Sequence, residues 1–585
     1  MSGSLPFTTV TNETQLNADI EAADTLTNAG TYVINFGNAI AEGTLPGVTI
    51  AANGATAVVA PDLTAVDLHS GVTLVINGNG DVLNGENAYR GLFVYSGDVI
   101  VNDLTIANAV ATGGAGATDS GGGGGGGAGL GGGLFIGATG TATLNQVYFS
   151  DDKATGGAGG GAKGKYGIYG GGGGLGGPGG GYYGYNTATG GGAGGGGGIG
   201  RTAAGGVLGN NHNFKASPGI VGSGANNPGS GGTGYNGTPS DDFPTTSPGG
   251  SFGGGGGYGY EYNNPDGESS GNRPGGAGGG GIGGSNGKNG ATGSGYGKGG
   301  KGGFGGGGGG GYSIGGQGGF GGGGGVGYST SGAGGWGGGG GGGVFKGTAG
   351  AGGFGGGAGA AGKYVAYGSP SDYGGGGGGG LGAGGDVFVY KGGSLIIGSG
   401  TLAGGSVAGG AGGVSSHSAA HNGGTGSAFG SGIFLYGNGQ AATFTPALGK
   451  SVTVDDQIYD QKGAGNGSNT GLVILDGAGE LILAATNSFW GGTTLEGGGT
   501  LELNASGAGG SGGITFGSGS NRLLINSSEL PNGGSLVNTI NGFAFGDVIE
   551  LAGLGYATGA TSLTVSGSIV KVTSNSQTDT LTVAS

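Results

Sequence analysis

Residues able to make specific contacts are sparse in this chain, and the densest group is aromatic. In GYGYEY, Tyr258, Tyr260 and Tyr262 recur at a period of two. GYYGYN supplies Tyr182, Tyr183 and Tyr185, and Trp336 stands alone in a run of glycine. Aromatic faces on otherwise bare backbone can stack on sugars, on other glycine-rich faces or on the protein's own framework. These seven residues are the candidates for association or glycan contacts, with internal packing the favoured alternative. Carboxylates come singly. Asp98 follows Gly97, and Asp103 falls where the strand pattern bends, with Arg90 the nearest cation. Turn-forming Asp accounts for both acids. The four histidines are scattered, although His417 and His421 share one glycine-rich linker, and surface solvation is the expectation for them. No catalytic residue, cofactor site or metal-ligand set is expected.

Composition narrows the classes further. Of 585 residues 184 are Gly, only 14 are Pro and none is Cys. The glycines come in runs broken by single Tyr, Phe, Ala or Leu, so a Gly-X-Y triple helix is excluded. The absence of Cys removes disulfides, thiol catalysis and zinc–thiolate sites. A net charge of −15 argues against nucleic acid as a partner. Charged residues make up 8% of the chain, against about 25% in ordinary domains. Surface solvation must therefore come from backbone, Asn, Ser and Thr. No apolar run reaches the length of a membrane span. MSGSLPFTTVTN lacks the pattern of a secretory leader.

The elements that must position these residues are mostly strands. TNETQLNADIEAADTL reads as a short helix capped by Thr11 or Asn12, with Leu16, Ile20 and Ala23 on one face. TYVINFG, GVTIAA and VTLVING then read as strands bounded by Gly, Asn or Pro. Units of related sequence begin at Leu92, Leu134 and Val387, and a fourth begins at Gly432. Leu104 and Ile106 of the first match Val147 and Phe149 of the second, while Leu395 and Ile397 supply a strand in the third. Units of twenty-odd residues bury a continuous core only by stacking. The expected fold is all-β: a right-handed parallel β-helix, or solenoid, with a short N-terminal capping helix and a large glycine-rich insertion.

Glycine-rich linkers at about residues 113–133 and 408–431, and the long block from about 156 to 386, leave the repeat at the same phase. They are expected to emerge on one face, with Val387 resuming the stack where Gly156 left it. Two readings of the block stay open. It is a flexible glycine-rich loop, or its runs form polyglycine-II-like strands bonded side by side. The expected organisation is 1–156 (cap and first coils), 157–386 (insertion), 387–470 (further coils), 471–530 and 531–585 (C-terminal repeats).

Three stretches resemble known families. GAGELILAATNSFWGGTTLEGGGTLELN resembles the autotransporter-associated β-strand repeat, through Leu481, Leu483, Asn487, Phe489, Gly491, Gly492, Thr493, Leu495, Leu501 and Leu503. That resemblance implies a parallel β-helix on a bacterial exterior. The N-terminal third, through HSGVTLVINGNGDVLNGENAYRGLFVYSGDVIVNDLTIANA, looks like the pectate-lyase-like β-helix superfamily. That superfamily includes polysaccharide lyases, glycosidases, tailspikes and adhesins, and its enzymes need acidic clusters beyond Asp98 and Asp103. NGFAFGDVIELAGLG resembles a C-terminal β-repeat of exported proteins that often bind calcium. The calcium nonapeptide is missing and calcium is unsupported, although Asp547 and Glu550 could touch a cation. The likeness implies type I secretion, which needs no N-terminal leader.

The expected function is a secreted or cell-surface structural or adhesive protein of a bacterium. It self-associates into a surface layer, biofilm matrix or filament, with matrix or surface glycans as further partners. The alternative is a polysaccharide-binding or polysaccharide-degrading β-helix protein, either a lyase, a glycosidase or tailspike-like. An ice-binding face is the weakest reading, because regular Thr-x-Thr ladders are missing.

Overall fold

A computed structural model describes residues 7–46, 48–52, 55–119, 121–163, 169–181, 196–205, 297–363, 373–465, 467–531 and 533–584. The fold is all-β, with one α-helix among the described residues, Glu13–Asp24 near the start. Asn12 caps that helix, its side chain accepting from Gln15 N at 3.0 Å, while Gln15 Oε1 accepts from Thr11 N at 2.7 Å. One orphan donor of the first turn, Gln15 N, and the Thr11 N–H just before the cap are thereby satisfied. Leu16, Ile20 and Ala23 are buried, as their spacing requires. Glu13 favours the positive end of the helix, and its carboxylate also accepts from Thr44 N and Leu45 N.

Most of the strands pair in parallel, each with a strand about one repeat away. Phe7–Val10 lies on Gly30–Phe36, which lies on Val72–Asn84, followed by Leu92–Ala107 and Leu134–Ser150. Leu104 stands beside Val147 and Ile106 beside Phe149. On the far side of Leu134–Ser150 lie Val387–Val389 and Ser394–Ala403, with Leu134 opposite Val387 and Ile136 opposite Val389. Some two hundred and fifty residues of chain thus separate neighbouring strands. Ile433–Leu435 then covers Val387–Val389, and the ladder continues through Thr500–Leu503 and Arg522–Ile525 to Val548–Leu551. Antiparallel β-ladders are confined, among the described residues, to Val48–Ala52 with Ala55–Val59 and to Thr561–Ser566, Ile569–Ser574 and Gln577–Val583, with two isolated antiparallel bridges besides.

Alternation decides the core. Leu74 and Ile76, Val99 and Val101, Ala142 and Leu144, Leu395 and Ile397, Val473 and Leu475 all point inward and are buried. Each fully buried aliphatic side chain contributes about 1.5–3 kcal/mol. Corners are made by residues that tolerate left-handed backbone: Asn79, Asp103 and Gln146 have φ of 55°, 50° and 55°. Beside that corner runs an amide ladder. Asn77 donates to Asn35, Asn102 to Asn77 and Asn145 to Asn102, each at 2.9 Å. The ladder satisfies the side-chain amides within the stack rather than by water.

Candidate functional site

The described glycine-rich segments bond to each other and pack against this stack. The run 123–128 shows the rule. Gly123 N and Gly126 N donate to Gly375 O and Gly378 O. Gly124 N and Gly127 N donate to Ala117 O and Gly114 O, and Gly125 N and Ala128 N to Gly324 O and Gly321 O. Donors therefore cycle among three neighbours with a period of three. Acceptors cycle as well: Gly123 O and Gly126 O receive Gly342 N and Gly339 N, Gly124 O and Gly127 O receive Gly160 N and Gly157 N, and Gly125 O receives Gly173 N. One strand is thus bonded to six others. A sheet strand, with donors alternating between two sides, has no such arrangement.

Close approach explains the composition. A Cβ on any of Gly123 to Gly127 would collide with a neighbouring carbonyl: that of Gly160, Gly171, Gly339, Gly157 or Gly174 in turn. Only glycine allows backbones this near on every side. Linker residues 113–119 and 409–427 take part too. Gly410 N donates to Gly380 O, and Gly379 N to Gly424 O.

A seam of aromatic rings joins the glycine strands to the stack. The segments GGF, GGF, GGW and GGF place Phe304, Phe320, Trp336 and Phe354 sixteen, sixteen and eighteen residues apart. Their rings stack nearly parallel with centroids 5.2, 4.9 and 5.1 Å apart. The glycine after each ring turns the chain in left-handed conformation, with φ of 74°, 72°, 78° and 68° at Gly305, Gly321, Gly337 and Gly355. The facing wall comes from LFVY, LFIG, VFVY and IFLY, which begin at residues 92, 134, 387 and 433. Phe93, Phe135, Phe388 and Phe434 form a second stack, at 4.4, 5.3 and 5.6 Å. Gly137 stands where the other three units carry Tyr95, Tyr390 and Tyr436, and Phe304 packs there against Tyr95, Phe135 and Tyr390. Burial in this seam pushes the hydroxyls of Tyr95 and Tyr436 up to about 12.

Charge also anchors the block. Arg201 lies in it, donating through Nη1 to Ala88 O at 2.9 Å and through its backbone N to Asp62 Oδ2 at 2.9 Å. Its guanidinium sits 4.3 Å from the centre of the Tyr89 ring. Arg90 is fully buried beside Phe93 and donates to Leu130 O. Burial lowers the Arg90 pKa and raises that of Asp62, while their opposite charges offset both shifts.

At the end of the glycine strands away from the seam, the turns repeat as well. Tyr312 stacks on Tyr328 at 6.4 Å, and Tyr328 meets Phe345 edge-on at 6.2 Å. Parallel bridges link Lys298, Ile314, Thr330 and Thr348 in one row. Tyr328 is half exposed there. The edge is periodic, aromatic and hydroxyl-bearing.

Of the residues singled out from sequence, Trp336 has both ring faces covered by Phe320 and Phe354 and its edge against Phe388, Phe434 and Tyr436. Tyr182, Tyr183, Tyr185, Tyr258, Tyr260 and Tyr262 lie outside the described residues. Asp98 and Asp103 are exposed whereas Arg90 is buried, so these three do not converge. His417 stacks on Tyr373 at 5.1 Å and His421 meets the same ring edge-on at 4.8 Å. Asp547 accepts from Asn521 N and Ala544 N, and Glu550 pairs with Arg522. In the segment 477–504, Asn487 bridges neighbouring strands, accepting from Ile458 N at 2.7 Å and donating to Ala508 O at 2.8 Å. The residues missed from sequence are the seam itself, Phe304, Phe320 and Phe354 with Phe93, Phe135, Phe388 and Phe434. Their signal was the sixteen-residue spacing and the repeated central Phe. Among the described residues no helix is long and apolar enough to cross a membrane. Comparison of the chain with family models, curated proteins and solved structures gives no match.

Proposed function

We propose that this chain is a bacterial extracellular structural or adhesive protein. In this reading a right-handed parallel β-helix carries a polyglycine-II-like sheaf and holds its outer edge toward partners. The observation that carries the reading is the three-way cycling of donors along Gly123–Ala128. It turns a composition with no side-chain core into a stiff, laterally bonded slab, since three residues per turn is the period of such helices. Pairing of each strand with one about a repeat away supports the winding of the stack. The resemblance of residues 477–504 to the autotransporter-associated repeat, and of 541–555 to an exported C-terminal repeat, favours the cell exterior and type I export.

Self-association and glycan contact are assigned to the outer edge of the sheaf. The rings of Tyr312 and Tyr328, with the hydroxyls of Ser329, Thr330 and Thr348, repeat there at strand spacing. Aromatic faces flanked by hydroxyls suit sugar rings or a like edge of another copy. The test compares the full chain with a variant lacking residues 160–380, by sedimentation and by binding to a panel of polysaccharides. The expected result is a folded variant that has lost both association and glycan retention. Equal behaviour of the two proteins would sink the reading.

A further inference from the structure

Where the glycine-rich block leaves and rejoins the stack, three aspartates converge in the interior. Asp152 follows the strand Leu134–Ser150 and precedes the glycine run 156–160. Asp386 directly precedes Val387, at which the chain re-enters. Asp456 occupies the corresponding corner two strands further along, next to Gly405, to whose N–H it is bonded. Asp152 and Asp386 are fully buried and Asp456 is 9% exposed. Two of the three have work to do. Asp152 Oδ1 accepts from Ala109 N at 2.7 Å, and Asp456 accepts from Gly405 N at 2.7 Å and from Ser431 Oγ. Among the described residues no donor bonds to either oxygen of Asp386. Gly405 makes the room, for a Cβ there would press on Asp386 Oδ1.

A carboxylate buried without donors is among the least favourable groups a protein can hold, and neutralisation is the ordinary escape. Asp386 and Asp456 meet at Gly405, whose N–H donates to Asp456 Oδ2 at 2.7 Å and whose added Cβ would lie 2.7 Å from Asp386 Oδ1. Two carboxyls can bond to each other only when one carries a proton. Among the described residues, the charged groups acting on this pair are acidic: Asp151, Asp152 and Asp455, with Glu42 beyond Asp152. The three aspartates do not form a group spaced to hold a metal ion.

We propose that Asp386 and Asp456 are a proton-binding latch, sharing one proton that ties the returning end of the glycine-rich block into the stack. Asp386 is the acid, donating to the Asp456 carboxylate, which also accepts from Gly405 N and Ser431 Oγ. Loss of the proton places two negative charges side by side next to Asp152 and loosens the junction.

The sign of the effect follows from linkage. Burial, and the neighbouring negative charges of Asp152 and Asp456, hold Asp386 well above its ordinary 3.8. The folded protein therefore binds a proton that the unfolded chain has released. Stability from the latch is complete below about pH 4 and declines as pH rises toward the folded value.

The test is Asp386→Asn in the full chain, because the amide is neutral at every pH and can donate to Asp456. Thermal unfolding is followed at about pH 4 and about pH 8, values on either side of the expected transition. The expected result is a higher Tm than wild type at the upper pH, little difference at the lower, and a flatter pH dependence. Equal loss of Tm at both would overturn the latch, as would a wild-type Tm lowered by chelator and unaffected by pH. Should the variant fail to fold, hydrogen exchange on the wild-type protein decides. Protection of amides 374–386 must then fall with pH by more than intrinsic base catalysis accounts for, while that of 134–150 does not. Parallel changes in the two segments would refute the proposal.

Discussion

Leu134, Ile136 and Leu144 are buried by side chains from the strands on either side of them; Gly123 to Gly127 are buried by carbonyl groups. The two regions share extensive backbone hydrogen bonding, but the stack pairs mostly in parallel while the run Gly123–Ala128 has neighbours of both senses, and they differ in what fills the space between chains. In the stack each aliphatic residue contributes about 1.5–3 kcal/mol through burial. In the glycine strands a backbone bond contributes about 1 kcal/mol net. Fixing each backbone there costs about 1–2 kcal/mol, and glycine is at the upper end. The margin of the glycine strands is therefore thin, and the aromatic seam supplies what the bare backbone lacks. The stack is therefore expected to fold without the block, and the block to need the stack.

That asymmetry can be broken from either side. The largest effect is expected for Ile136→Asp, which buries a charge between Val94 and Val389. Loss of at least about 4 kcal/mol is expected, with the stack and the glycine block unfolding together in a urea titration. Trp336→Ala comes next. It removes the middle of the four-ring stack and should cost about 3 kcal/mol. Here the expected outcome is selective: glycine amides in 321–343 lose exchange protection while those of 92–107 keep theirs. Loss of protection in both segments would mean that the seam supports the stack as well.

A smaller effect, about 1–3 kcal/mol, is expected for Gly125→Ala, whose methyl meets the carbonyl of Gly339. Gly555→Ala is the matched control, with nothing within 4 Å of its new methyl and no left-handed φ to strain. Thermal unfolding of the two variants should differ by that amount, and equal stability would show that the glycine strands give way easily. Smallest is Asn102→Ala, which interrupts the amide ladder between Asn77 and Asn145. A loss of about 1 kcal/mol is expected, measured by urea titration.

Much of the stack was legible beforehand, for a physical reason. Period-two alternation and a left-handed corner residue are local requirements, so Leu104 and Ile106 could be matched to Val147 and Phe149 by inspection. The helix was equally local, set by the Asn12 cap and the spacing of Leu16, Ile20 and Ala23. The middle Phe of LFVY was a different matter. Alternation shows that it faces away from the aliphatic core and leaves open whether water or another layer lies there. The buried carboxylates of Asp152, Asp386 and Asp456 carry no local mark at all, since an Asp at a corner reads as a turn former.

What this sequence determined by itself is the set of positions that can be strands, corners and closely approached backbone, because sterics and alternation act within a few residues. Glycine at 123–127 says only that something comes near. Which of the glycine runs come near, that donors are handed among three neighbours in turn, and that Phe304 fills the place left by Gly137, were decided by the tertiary structure. Glycine offers every run the same surface, so partner choice cannot be written in the runs themselves. It is imposed from outside, by the strands that fix where each run begins and by the rings that fix how far it turns.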